Sequence, residues 1–243
     1  VADISKSKGL NIKGDIIKFR TAGIALDSIK FATRQNHDRL AYIIGATELS
    51  IASDDEENNQ SALLYGSIKC DTITSNFILR DNIKKTDSKV GLTALLKPGN
   101  MHIHFSPEAM LFGSPYAFNR ENYIEIGKKM SVNADVSFTG GSNNGFHLYT
   151  TPDEKAKYNI GLDLFNMDLG EIADAVPAMP DVAGKLFAQL NYRQSNDNNV
   201  FKCNANVDSL TYNGTPVGNE RVELAYSPRE SGAHALRCDI SHN

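Results

Sequence analysis

The sequence predicts a mainly β, antiparallel protein with one short helix. Apolar and polar residues alternate with a period of two in many segments, which is typical of strands with one apolar and one polar face. Turn-forming pairs such as Asn144-Gly145 and Asn213-Gly214 separate some of these segments. Such pairs readily supply the positive φ angles that tight hairpins need. The apolar face could be covered by a second sheet in a closed β-sandwich, or it could line a curved trough.

The alternation is most regular in the second half of the chain. Successive side chains of a strand point to opposite faces, so alternate apolar positions are expected to share one face of the sheet. Polar residues occupy most of the positions between them. The twelve apolar positions that we select for this face are Val132, Ala134, Val136, Phe138, Ile160, Leu162, Leu164, Leu186, Ala188, Leu190, Val222 and Leu224.

The first half carries similar strand patterns with less regularity, and its segments start near Leu10, Ile29, Leu40 and Leu64. The acidic segment 54–59 predicts an exposed loop. Residues 1–243 read as a fragment of one elongated β domain, because the chain opens on a Val and ends within a strand-like segment. A subdivision near 119–131 would give segments 1–120 and 130–243.

One short helix is expected after the strand that contains Leu164. Leu169, Ile172 and Ala173 have helical spacing, and Asp168 with Glu171 forms a capping pattern at its start. Two prolines follow, at positions 177 and 180, and are expected to end the helix.

Composition and motifs exclude several function classes. The net charge of -4 gives no electrostatic footprint for nucleic acid. Three widely spaced cysteines form neither a disulfide framework nor a metal pair, although a Cys203–Cys238 bridge stays open. His102 and His104 share a strand face, which is better explained by amphipathic alternation than by a metal site. Recognisable catalytic motifs are absent from the sequence, so we predict neither an enzyme nor a cofactor.

Three linked pieces between Ile160 and Tyr226 resemble the TamB family of the AsmA-like group of cell-envelope proteins. The first piece, 160–169, runs into the short helix, and the second, 184–192, follows the proline-containing break. The third, 207–219, contains an L-x-Y-x-G-x-P-V-G-N turn and leads into 222–226. The order of the three pieces carries the resemblance.

The resemblance implies a long, curved sheet folded like a taco shell around an apolar groove. The twelve apolar positions would then line that groove and contact lipid acyl chains. It further implies a non-enzymatic periplasmic segment of a Gram-negative protein that is anchored in the inner membrane. Such a protein would serve phospholipid transport and outer-membrane biogenesis. Its outer-membrane assembly partner would be met through parts of the full protein that we do not identify in this chain.

Two other functions stay open at the level of sequence. A closed β-sandwich would suit a surface-binding or adhesin-like module, in which the alternating face is only a core. An all-β hydrolase with a dispersed catalytic site is the third candidate. For an open trough we also expect self-association through exposed strand edges.

Overall fold

The strands of this chain alternate between apolar and polar residues over long segments, and a computed structural model shows how they pair. The structure describes residues 2–5, 9–21, 24–51, 60–80, 85–175, 180–195, 198–228 and 234–242. The strands group into two compact units, Val1–Tyr116 and Ala117–Asn243. The acidic segment 54–59 lies outside the described residues.

The strands of the first unit pair antiparallel in chain order from the second to the eighth. The first strand pairs with the second, and the ninth contacts the seventh. Most are joined by short turns, so neighbours in sequence are neighbours in the sheet. The bounds are β1 Ala2–Ser5, β2 Gly9–Thr21, β3 Ile24–Asn36, β4 Arg39–Ile51, β5 Gln60–Lys69, β6 Thr72–Arg80, β7 Thr86–Lys97, β8 Asn100–Phe105 and β9 Glu108–Leu111.

A tenth strand, β10 Ser114–Phe118, contains the boundary between the units. The second unit continues with an antiparallel meander in which each strand pairs with the next. A 3-10 turn at Lys128–Met130 precedes the second of these strands. The bounds are β11 Tyr123–Ile126, β12 Val132–Gly140, β13 Gly145–Thr150, β14 Tyr158–Asp168, β15 Val182–Gln194, β16 Asn199–Tyr212, β17 Thr215–Pro228 and β18 His234–His242.

The predicted helix is present as α1, Leu169–Ala175, between β14 and β15. Asp168 Oδ1 accepts hydrogen bonds from the backbone N–H groups of Gly170 and Glu171, at 2.9 and 3.3 Å. The side chain therefore satisfies two of the amide groups that a helix start leaves without an intrahelical partner. Of the two prolines that were expected to end the helix, position 177 lies outside the described residues, and Pro180 is described beyond the last residue of α1, Ala175.

A β-bulge interrupts β14 just before the helix. Leu164 is opposite Ala188, but the next register pairs along the two strands are Met167 with Leu186 and Asp168 with Lys185. One extra residue therefore lies on β14, and Asn166 adopts a left-handed φ of 51°. Because the bulge shifts the alternation by one position, Met167 joins the face of Leu164 and Leu186.

The antiparallel β class predicted from the sequence is confirmed, and so is the short helix. The closed β-sandwich finds no support in the packing. A sealed sandwich buries its inner face, whereas Ile44 and Phe77 on the apolar face of the first unit are 41% and 40% exposed. Fully buried apolar side chains are few among the described residues, and β12 holds three of them: Ala134, Val136 and Phe138.

Candidate functional site

The register of the second unit places its apolar side chains in continuous rows across the strands. Residues directly opposite each other in an antiparallel pair lie on the same face, so each row can be followed from strand to strand. One row runs through Val136, Leu148, Leu162, Leu190, Cys203, Leu224 and Cys238. Its neighbour runs through Phe138, Phe146, Leu164, Ala188, Ala205, Val222 and Ile240.

All twelve positions selected from the sequence lie on this face. Leu186 joins it through Met167 and Val207, and Ile160 joins it through Thr150 and Tyr192. Val132 and Ala134 are opposite Ile126 and Ile124 of β11. We call the surface formed by these rows from β11 to β18 the apolar face of the second unit. Its shared orientation follows from the register, whereas lipid contact is a proposal taken up below.

The selection missed a set of residues that complete the same rows. They lie at alternate positions of their strands, as the chosen residues do. The period-two pattern could therefore have identified them. For β18 the signal was weak, because cysteine and histidine interrupt its apolar pattern. The missed positions are Phe146, Leu148, Tyr192, Phe201, Cys203, Ala205, Val207, Tyr226, Leu236, Cys238 and Ile240.

The opposite face of this unit is polar. His147 and Asp135 lie on it, and His147 Nε2 is 2.9 Å from Asp135 Oδ1. Arg221 Nη2 donates to Glu223 Oε1 at 2.6 Å within β17. Asp163, opposite both His147 and Gln189, has one carboxylate oxygen that is buried without a hydrogen-bond partner. The sheet of the second unit is therefore amphipathic across its whole width.

Exposure of the apolar face changes along the second unit. Val136 on β12 is 2% exposed, and Phe138 beside it packs against Phe118 and Phe146 at ring-centroid distances of 4.7 and 5.4 Å. The apolar side chains of β14 to β17 are mostly half-buried. On β18, Leu236 and Ile240 are 70% and 69% exposed. Much of this apolar face is thus accessible to a ligand.

Polar groups mark one border of the apolar face. Val207 is opposite Glu220, which in turn is opposite His242 on β18. His242 Nδ1 is 2.7 Å from Glu220 Oε1, and the Glu220 side chain is largely buried. This hydrogen-bonded polar pair at the end of an apolar row gives that border a polar rim.

The first unit has its own apolar face, built in the same way. Phe31, Ile44, Leu64, Phe77 and Val90 follow one another across β3 to β7. They remain half-buried to exposed, as described above for Ile44 and Phe77. Gly14 sits opposite Phe31, whose ring occupies the space that a Cβ at position 14 would take. Both units therefore present accessible apolar surface on one side of their strands.

Two carboxylates of the second unit accept hydrogen bonds from cationic side chains of β15. Lys185 Nζ donates to Asp168 Oδ2 at 2.7 Å, and this hydrogen bond, with the two backbone donors of α1, lowers the pKa of Asp168. Arg193 Nε donates to Asp153 Oδ2 at 2.7 Å and lowers the pKa of that carboxyl. Both pairs tie a loop or a helix start to β15.

The cysteines lie among the described residues, and all three are free thiols. Cys203 and Cys238 share a row but are separated by Leu224 on the strand between them. Two strand spacings are roughly 9.5 Å, which exceeds the Cα separation that a disulfide can bridge. The Cys203–Cys238 bridge that the sequence left open is therefore not formed in this fold.

Metal ligands do not converge in the part of the chain that the structure describes. His102 and His104 lie on one face of β8, opposite Leu95 and Thr93. Within the described ranges, the His, Cys, Asp and Glu side chains make no cluster of three that could hold a metal ion. The described residues also include no helix with the length and apolar character needed to cross a bilayer.

Fold and site together define an antiparallel β protein whose two units each carry an accessible apolar sheet face. Comparison with protein-family models, with curated proteins and with solved structures finds no match for the chain. The resemblance of 160–226 to the TamB family therefore stays a prediction.

Proposed function

We propose that the apolar face of the second unit binds the acyl chains of lipids and that the protein is a non-enzymatic lipid-binding segment. The observation that carries the proposal is the continuity of the face. Its apolar rows continue from β12 to β18 while most of their side chains keep part of their surface accessible. A row of this kind suits a long, flexible apolar ligand better than a compact polar one.

The energetics of such binding are favourable. Each methylene removed from water contributes roughly 0.8 kcal/mol, so a long acyl chain could gain on the order of 10 kcal/mol if it were fully covered. A half-open face recovers only part of this gain, and association entropy opposes it. Moderate affinity with ready exchange follows, which is the behaviour that lipid transfer needs.

A lipid extraction is the direct test. The full chain, purified without detergent, is analysed by native mass spectrometry and by extraction into organic solvent. We expect co-purifying phospholipid, together with saturable binding of an environment-sensitive acyl probe. A lipid-free protein that also fails to bind the probe would remove the support for this function.

Leu162 and Leu190 offer the sharpest substitution test because they are directly opposite each other on β14 and β15. Leu162→Asp and Leu190→Asp place a carboxylate on a half-buried part of the face, so acyl binding should fall at least tenfold while the fold survives. Asn191→Asp is the matched control, since Asn191 is exposed and points to the polar face of the same strand, opposite Gly161 and Lys202. If the two leucine variants unfold and the control does not, the face is a core and not a binding surface.

The resemblance to the TamB family supports a wider proposal. Under it, the chain is a periplasmic segment of an inner-membrane-anchored protein of a Gram-negative bacterium, active in phospholipid transport and outer-membrane biogenesis. Cell fractionation of the full-length protein tests this location. Recovery in the cytosolic fraction would reject the wider proposal and leave the lipid-binding proposal standing.

A further inference from the structure

The first unit contains a hollow of about 480 Å³ on β2 to β5, lined mainly by residues that point away from its apolar rows. Its floor is apolar and includes Ala32, Ile43, Gly45 and Leu63. Ala32 is opposite Ile43, and Gly45 is opposite Leu63, so these four residues form two adjacent register pairs. The small side chain of Ala32 and the absence of one at Gly45 leave space between the larger Ile43 and Leu63.

Charged side chains border this apolar floor. Lys13 is opposite Ala32, while Lys30 lies between Asp15 and Gly45. Arg34 follows Ala32 by two residues on β3 and is exposed on the same face. Three cationic side chains and one carboxylate give this neighbourhood a charge of about +2, although the chain as a whole has a net charge of -4. Positive charge is therefore concentrated beside the hollow.

We propose that this hollow binds one single-chain anionic amphiphile, such as a fatty acid, with its chain on the floor and its anionic head beside Lys13 and Lys30. The volume lies in the lower half of the range for small-molecule sites, which suits one chain better than the two of a phospholipid. An apolar floor combined with a few convergent charges is the composition expected of such a site. Ile17, two residues beyond Asp15 on β2, is 83% exposed and extends the apolar surface on that side.

This site is separate from the apolar face of the second unit. Its residues belong to the first unit, and most of them point away from the row that contains Phe31 and Ile44, although Phe31 and Gly14 also contribute to the lining. The charge asymmetry around Lys13 and Lys30 predicts head-group selectivity at this hollow. The two proposals can therefore fail independently.

Isothermal titration of the full chain with three twelve-carbon amphiphiles below their micelle concentrations tests the proposal. The probes are dodecanoate, dodecyltrimethylammonium and dodecyl maltoside. We expect a saturable site for dodecanoate with a stoichiometry of one and an affinity at least tenfold above that for the cation. Equal affinity for all three head groups would overturn the proposal, as would binding to anionic vesicles without binding of monomeric dodecanoate.

Gly45→Val is the variant that fills the hollow. A Cβ at Gly45 would lie 3.6 Å from Leu63 Cδ1, an ordinary contact, and its φ does not favour glycine, so the strand should accept valine. We expect loss of the dodecanoate site with the fold intact. Gly141→Val is the matched control, because a Cβ there meets nothing within 4 Å and the position belongs to the other unit. Unchanged dodecanoate binding in Gly45→Val would place the ligand elsewhere.

Two charge variants test the head-group contact in opposite directions. Lys30→Gln should weaken dodecanoate binding by roughly two- to fivefold, and Asp15→Asn should strengthen it by a similar factor, as expected for exposed charges. The Leu162→Asp and Leu190→Asp proteins should keep the dodecanoate site. If the two leucine variants lose dodecanoate binding while Gly45→Val retains it, dodecanoate binds to the apolar face of the second unit. That outcome would show that the hollow is not the binding site.

Discussion

Val136 and Ile240 lie on the same apolar face of the second unit, yet their side chains are 2% and 69% exposed. Apolar and polar residues alternate around both positions, although more regularly around Val136 than around Ile240. Near β12 the face is covered and three phenylalanine rings pack together, whereas β18 leaves its apolar side chains in solvent. The comparison teaches that alternation determines which face is apolar, while the surroundings determine whether that face is a core or a surface.

The largest effect is expected from a charge placed at the covered end. Val136→Asp should cost about 3–5 kcal/mol of unfolding free energy, because its carboxylate would be buried without a partner. Ile240→Asp, the control at the open end, should change the unfolding free energy by no more than about 1 kcal/mol. Urea denaturation measures both. Equal losses for the two variants would show that β18 is covered in solution.

Truncating an apolar side chain should also destabilise the protein more at the covered strand β12 than at the exposed strand β18. Phe138→Ala deletes a buried side chain that contacts both Phe118 and Phe146, and should cost about 3 kcal/mol. Leu236→Ala at the open end should cost less than about 1 kcal/mol, since that side chain is already largely hydrated. Thermal unfolding of the two variants provides the measurement, and a reversed order would contradict the comparison.

A smaller, pH-dependent change in unfolding free energy is expected at the start of α1, which lies between the covered strand β12 and the exposed strand β18. Asp168→Ala should cost about 1 kcal/mol, because the helix loses its N-cap and the hydrogen bond from Lys185. Asp168→Asn should cost less, since asparagine also caps. The pKa of Asp168 is lowered in the folded state, so its contribution is present above about pH 4 and disappears as the pH falls through the folded value.

Denaturation of wild type and Asp168→Asn between pH 2 and pH 7 checks this sign. The stability difference between the two proteins should shrink toward acid pH. A difference that grows on acidification would mean that the carboxylate of Asp168 destabilises the fold.

The smallest effect concerns thiol reactivity on the apolar face. Cys203 on β16 is half-buried, and burial raises the pKa of its thiol. Cys238, two strands away on β18, is exposed. Since the thiolate is the reactive form, Cys238 should react with a maleimide several-fold faster than Cys203 near neutral pH. Mass spectrometry of time-quenched samples measures the rates, and Cys238→Ser confirms the assignment. Faster labelling of Cys203 would indicate that β18 is more protected than β16.

Much of the architecture could be predicted from the sequence because a period of two is a local property. The twelve selected positions share one face because alternate side chains of each strand point to the same side and the register aligns these positions from strand to strand. The cap at Asp168 could also be predicted, because its hydrogen bonds span only three residues.

Features that depend on distant neighbours could not be predicted. The 2% exposure of Val136 and the hollow beside Gly45 depend on residues from several strands, and no local pattern specifies them. A tight reversal at Phe112 and Gly113, both with positive φ, joins the short strands β9 and β10. These strands hold only four and five residues, too few for periodicity to reveal.

The extra residue near Asn166 has a consequence for how this chain can change in length. A single-residue insertion or deletion in a regular strand inverts every side chain beyond it, exchanging apolar and polar faces. At Asn166 the chain already accommodates such a shift, since the register resumes correctly at Met167 and the helix follows directly. Deleting Asn166 would remove the bulge and leave Met167 opposite Leu186 and Asp168 opposite Lys185, so both side chains would keep their faces. A single-residue deletion in β14 should therefore be tolerated at the bulge, whereas length variation in the regular part of the strand should come in pairs of residues.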